Sequence, residues 1–212
     1  MRIVLIRHFK TPGNLQGNYI GITDEEIITP IPFEKKTAYP KVERIYVSPL
    51  KRCIQTAQLI YPGQSIRTQE ALRECDFGRF EGKNYQELSS EPAYQEWIDC
   101  MGMIPFPEGE DPLRFRARCG QGFLECVEES IKHKIASVAF VVHGGTIMSI
   151  MEAFDSKQKG FYDYQVKNGQ GFELQLKEEE WKKGIHRLDC IRRIDESTYV
   201  FTSKGRKEEW DN

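Results

Sequence analysis

The chain has 212 residues, 39% of them hydrophobic and 29% charged, which excludes both a disordered composition and a membrane-embedded one. Its formal net charge of −2 gives no general attraction to nucleic acid or acidic lipid, so any anion must be held by a local basic cluster. The length suits one ordinary domain, expected over 1–212.

The opening MRIVLIRH carries an apolar run too short for a signal peptide or a membrane span. Residues 3–6, IVLI, form a β-branched run expected of a strand buried on both faces. VERIYV at 42–47 reads as a second strand. It leads through Ser48 and Pro49 into LKRCIQTAQLIY, where Leu50, Ile54, Ala57 and Tyr61 recur at helical spacing until Pro62 and Gly63 end the helix. The segment 74–110 is rich in Gly, Pro, Glu and aromatics and reads as an excursion over the top of the sheet.

Residues 111–132 predict a longer helix, weakened in the middle by Gly120 and Gly122. SVAFVV at 137–142 is another apolar strand, followed by HGG and the helix-spaced TIMSIMEAF. Half-buried strands are expected at 171–176 and 198–202, with a solvated tail after them. EEEWKKG at 178–184 reads as a solvated face. Strands alternating with helices predict an α/β fold with a mostly parallel sheet. Six scattered cysteines, at 53, 75, 100, 119, 126 and 190, show no Cys-x-x-Cys pair and no zinc-like spacing. They are expected to be free thiols without a role, in a cytoplasmic protein.

Three strand ends carry chemistry: Arg7 and His8 after the first, SPLKR with Arg52 after the second, and His143 after the apolar strand at 137–142. Ligands in open α/β sheets bind outside the carboxyl ends of the strands, so folding should bring these residues to one rim. Glu74, in LRECDFGRFEG, lies in a loop that could reach it, with Asp76 as the alternative carboxylate. Guanidinium forks suit a phosphate dianion, a neutral imidazole can attack phosphorus, and a carboxylic acid can protonate the leaving oxygen. No step of this scheme calls for a metal or a cofactor.

In these stretches the sequence resembles the histidine phosphatase superfamily, also called phosphoglycerate mutase-like. RHFKTPGN matches that family's Arg-His-Gly-x-Thr-x-x-Asn motif at Arg7, His8, Thr11 and Asn14. SPLKRCIQTA, LRECDFGRFEG and HGG follow in the family's order. The resemblance implies a three-layer α/β/α sandwich with His8 as phosphohistidine nucleophile and Glu74 as acid and base. It also implies that Arg7, Asn14, Arg52, His143 and Gly144 bind the phosphoryl group, and it sets Ile20 and Gly21 at the substrate.

Phe9 stands where the family usually has glycine. It is expected to narrow the pocket, to give it an apolar wall, or to twist the loop. The family's arginine after HGG is absent, and Met148 in that region is expected to pack inside. Thr11 and Asn14 also read as turn formers, and His133 and His186 as surface residues.

The loop around Glu74 resembles α-ribazole phosphatases and their broad-specificity relatives more than mutases, which need further basic residues for a bisphosphate. The expected activity is hydrolysis of a small phosphorylated metabolite, with no nucleic acid or membrane partner. A phosphoglycerate mutase and an inactive phospholigand-binding module are the alternatives. The segments 18–27 and 97–111 are expected to form the pocket lid.

Overall fold

A computed structural model describes residues 1–29 and 39–195. The expected strand at 198–202 and the tail lie outside these residues. Six strands form one sheet in the order β3-β2-β4-β1-β5-β6: β1 (Arg2–Arg7), β2 (Arg44–Val47), β3 (Ile66–Thr68), β4 (Ser137–Val142), β5 (Gly171–Leu176) and β6 (Leu188–Ile194). The first four in that order pair in parallel, whereas β5 runs antiparallel to both β1 and β6.

The apolar runs are continuous because both faces of the sheet are covered. Ile3 and Leu5 of β1 and Val138, Phe140 and Val142 of β4 face one buried cluster, with Phe123 and Val127 of α5 (Pro112–Lys132) and Ile147 and Ile150 of α6 (Gly144–Phe154). Val4, Ile6, Ala139 and Val141 alternate onto the other face, against Ala57 of α2 (Lys51–Ile60). The result is the three-layer α/β/α sandwich that the resemblance implies.

Helix α5 is continuous across Gly120 and Gly122. At Gly122 the missing side chain serves packing, since a Cβ there would stand 2.6 Å from the Ala71 Cβ. Asp111 caps the helix, its carboxylate accepting from the Leu113 and Arg114 N–H groups at 2.8 and 3.0 Å. The excursion at 74–110 carries α3 (Tyr85–Leu88) and α4 (Pro92–Asp99) and encloses its own cluster, in which Phe80 and Leu88 pack against Phe115 of α5.

The stretch at 178–184 is not simply a solvated face. It begins with α7 (Glu178–Trp181), whose acidic side chains face out while Trp181 is buried in the core and packs on the half-buried His186. His133 is exposed, and all six cysteines are free.

Candidate active site

The carboxyl ends of β1, β2 and β4 lie side by side, so the residues that follow them meet although the sequence separates them. The backbone of His8 is pinned by its N–H to the Val142 carbonyl at 2.9 Å, and Arg7 by its N–H to Gln170 at 2.9 Å. The rings of His8 and His143 then stand 5.2 Å apart between centroids, at 65°.

His8 Nδ1 lies 2.6 Å from the Phe9 carbonyl, which can only accept. The ring therefore carries its proton on Nδ1 and leaves the Nε2 lone pair bare. Burial, then the charges of Arg52 and Arg7, hold its pKa well below the usual imidazole value. A buried neutral imidazole with one free lone pair is a competent nucleophile.

Above it opens a cavity of about 390 Å³, lined by Arg7, His8, Asn14, Glu74, Gly144 and Gly145 on its polar side. Arg7 Nη1 donates to the Val166 carbonyl at 2.8 Å, and its buried Nε finds no partner among the described residues. An orphaned guanidinium N–H beside the N-terminus of α6 is what an anion would satisfy.

Glu74 is buried at the cavity edge, its oxygens accepting from the Cys75 and Gly145 N–H groups at 3.1 Å each. Burial pushes its pKa up, against the pull of those hydrogen bonds and of Arg52 and Arg7. A Cβ at Gly145 would stand 2.4 Å from a Glu74 carboxylate oxygen, so glycine there leaves the acid its place. Asp76 accepts from the Gly78 N–H at 2.8 Å and does not line the cavity, so Glu74 is the carboxylate at the rim.

Asn14 fills both expected roles. It forms a capping box with Thr11 at the start of α1 (Pro12–Gln16), and it lines the cavity.

Arg52 and His143 lie deeper than a direct phosphate contact requires: both are fully buried and neither lines the cavity. Arg52 Nε donates to His143 Nδ1 at 3.2 Å, while its other nitrogens donate to the Thr23 and Gly21 carbonyls at 2.7 Å. His143 Nε2 stands 2.7 Å from the Ser48 hydroxyl. The pair forms a layer beneath His8, and burial followed by the Arg52 charge keeps His143 neutral.

Phe9 is not a pocket wall. Its ring is buried against Tyr39 at 6.4 Å and against Gly169, away from the cavity, and its N–H donates to Thr56 Oγ1 at 2.9 Å. Its φ is not positive, so the backbone places no demand for glycine there. Ile20 lines the cavity but Gly21 does not. The Gly21 carbonyl receives Arg52 and its N–H donates to the Glu81 carboxylate at 2.9 Å, so it holds the loop over Arg52. Met148 packs against the core and also lines the cavity.

Sequence reasoning missed Ser48, which the SPLKR motif contained, and Asn168, for which no local signal exists. Asn168 Nδ2 bridges the His8 carbonyl and Asn14 Oδ1 at 3.0 and 3.1 Å. Both expected lid segments reach the cavity, through Asn18, Tyr19 and Ile20 of one and Trp97, Gly102 and Phe106 of the other. Among the described residues, no three His, Cys, Asp or Glu side chains group in a way that could hold a metal ion. No described helix is long and apolar enough to cross a membrane.

The family model of the histidine phosphatase superfamily (branch 1) matches residues 3–186. A Hydrogenobacter thermophilus protein provisionally named phosphoserine phosphatase 2 is 30% identical over 160 residues, 71% of this chain and 76% of that one. The Arabidopsis thaliana phosphoglycerate mutase-like protein 4 is 30% identical over 162 residues, covering 71% and 69%. In fold, the α-ribazole phosphatase of Shigella flexneri superposes with a TM-score of 0.76 at 19% identity, over 95% of this chain and all of that one. With its motifs converging at the ends of β1, β2 and β4, this chain belongs to the histidine phosphatase superfamily, branch 1.

Proposed function

We propose that the protein is a metal-independent phosphatase that hydrolyses a small phosphomonoester through a phosphohistidine on His8. The observation that carries this reading is the His8 ring: its Nδ1 is tied to a backbone carbonyl at 2.6 Å, so the bare Nε2 is left for the cavity that the ring lines. In the proposed first step Nε2 attacks phosphorus. Arg7, Asn14 and the start of α6 stabilise the oxyanions, while Arg52 and His143 hold the nucleophile from below. Glu74, whose pKa burial raises, gives its proton to the leaving oxygen and later takes one from the water that attacks the phosphohistidine.

Hydrolysis is favoured over mutase chemistry because Arg7 and Arg116 are the cationic side chains lining the cavity among the described residues, and Arg116 is already paired with Glu152 at 3.2 Å. A bisphosphate would need more positive charge. The placement of Phe9 away from the cavity removes the feature that favoured an inactive binding module. A substrate of the α-ribazole phosphate kind, or a broader range of phosphomonoesters, fits a cavity of this size.

The test is phosphate release from p-nitrophenyl phosphate and from a panel of phosphorylated metabolites, α-ribazole phosphate included, with a chelator present. Turnover with an acid-labile, base-stable phosphoprotein that vanishes in His8→Asn is expected. Binding without turnover would favour the module, and exchange between 2- and 3-phosphoglycerate dependent on a bisphosphate primer would favour the mutase.

A further inference from the structure

We propose that Arg118 and Glu110 are a positioning pair for Glu74: the guanidinium grips the backbone of the acid's loop, and the carboxylate fixes the guanidinium. This rests on the phosphatase reading and adds to it two residues that do not line the cavity.

Residues 74–77 belong to no helix or strand, and Glu74 and Cys75 are buried. Such a loop has no ladder to take up its polar backbone groups, so other groups have to. Proton transfer also requires that the carboxyl be held within about 0.5 Å of its working place. Arg118, on α5, meets both needs. Its Nη1 donates to the Ala71 and Arg73 carbonyls at 2.9 and 2.8 Å, and its Nη2 donates to the Glu74 carbonyl at 2.9 Å. Three carbonyls within four residues converge on one planar fork.

Glu110 closes the arrangement from the other side. Its Oε1 accepts from Arg118 Nε at 2.6 Å and its Oε2 from Nη2 at 2.7 Å, a bidentate pair that orients the fork. Its backbone N–H donates to the Asp76 carbonyl at 2.9 Å, and Oε2 accepts from the Asp76 N–H at 3.4 Å. The loop is thus tied on both flanks of Glu74, whose carboxylate turns the other way, to the Gly145 N–H at 3.1 Å. Gly122, one turn along the same face of α5 from Arg118, has no side chain to hold Ala71 away.

The pairing also suits the chemistry. A lone cation behind the loop would draw Glu74 towards its charged form. Glu110 offsets that charge, so the grip leaves the raised pKa of the acid in place.

The readout is dependence on the leaving group, taken from kcat/KM for p-nitrophenyl phosphate and for the fastest alkyl phosphate of the metabolite panel. Arg118→Lys keeps a cation and loses the fork. It should lower the alkyl value about tenfold or more and the p-nitrophenyl value about threefold or less. Glu110→Gln should move the ratio the same way, and it decides the matter if Arg118→Lys does not fold. In a Glu74→Gln background neither change should move the ratio further. Equal losses on both substrates, or ratio changes that add in full to that of Glu74→Gln, would overturn the positioning pair and leave the phosphatase standing. Should the wild type turn over no phosphomonoester, the phosphatase reading fails instead. Titration of Glu74 by carboxyl-carbon NMR then decides the pair: in Glu110→Gln its raised pKa should fall towards 4.5, and an unchanged value overturns the proposal.

Discussion

Arg52 Nε donates to His143 Nδ1 at 3.2 Å, and the same guanidinium holds the carbonyls of Thr23 and Gly21 at 2.7 Å. A single buried cation thus fixes the second histidine and the loop that leads to Ile20. Arg52→Lys keeps the charge but cannot donate in three directions from a fork. It should lower kcat about 100-fold and reduce the melting temperature, because buried carbonyls lose their donors. Steady-state kinetics beside a thermal melt checks this; wild-type turnover in Arg52→Lys would show that charge alone suffices.

His8→Asn should lower turnover by about 10³-fold or more and abolish the acid-labile phosphoprotein trapped by rapid quenching with labelled substrate. Retained labelling would move the nucleophile elsewhere.

The pH profile follows from two opposite shifts. Burial lowers His8, so the neutral nucleophile persists below its ordinary pKa of 6.5 and is lost only in more acidic solution. Burial raises Glu74, so its protonated acid persists above the ordinary 4.5 and is lost as pH climbs through the raised value. The rate on substrates with poor leaving groups should therefore peak on the acid side and fall towards alkaline pH. Glu74→Gln should slow alkyl phosphates more than p-nitrophenyl phosphate, whose leaving group needs no proton. Equal slowing of both would count against Glu74 as the acid.

Depressed histidines also affect stability. His8 and His143 are buried neutral, so the unfolded chain binds more protons as pH falls below about 6.5, and folding weakens in that direction. Denaturant midpoints measured from pH 8 down to pH 5 should fall, and His8→Asn should flatten the slope. A midpoint constant across that range would contradict the burial argument.

Phe9→Gly restores the residue usual in the family, yet it should leave kcat within about threefold of wild type, since Phe9 does not line the cavity. It should cost about 3 kcal/mol of stability from the lost ring packing against Tyr39 and Gly169, seen as a lower urea midpoint. A large change in KM with unchanged stability would put the ring back at the substrate.

What was legible in the sequence is bound to the chain's own periodicity. β1, β2 and β4 are unbroken apolar runs because both sheet faces are covered, and parallel order places their carboxyl ends together. From this the meeting of Arg7, His8, Arg52 and His143 at one rim followed. β6 was not legible: its residues run between buried ends through an exposed, charged middle, and no strand was expected there. β3 has three residues, too few for a periodic signal.

The sequence by itself determined which chemical groups would gather and on what kind of fold, because apolar strand runs and the residues that end them are local signals and ligands bind at the carboxyl ends of parallel strands. Only the tertiary structure decided which groups face the cavity. Phe9 turns away from the cavity because Tyr39 and Gly169 receive it, Arg52 sinks because distant carbonyls claim its donors, and Asn168 arrives from a loop 160 residues away. Side-chain direction at a site is set by the segments that pack over it, and no local pattern records their approach.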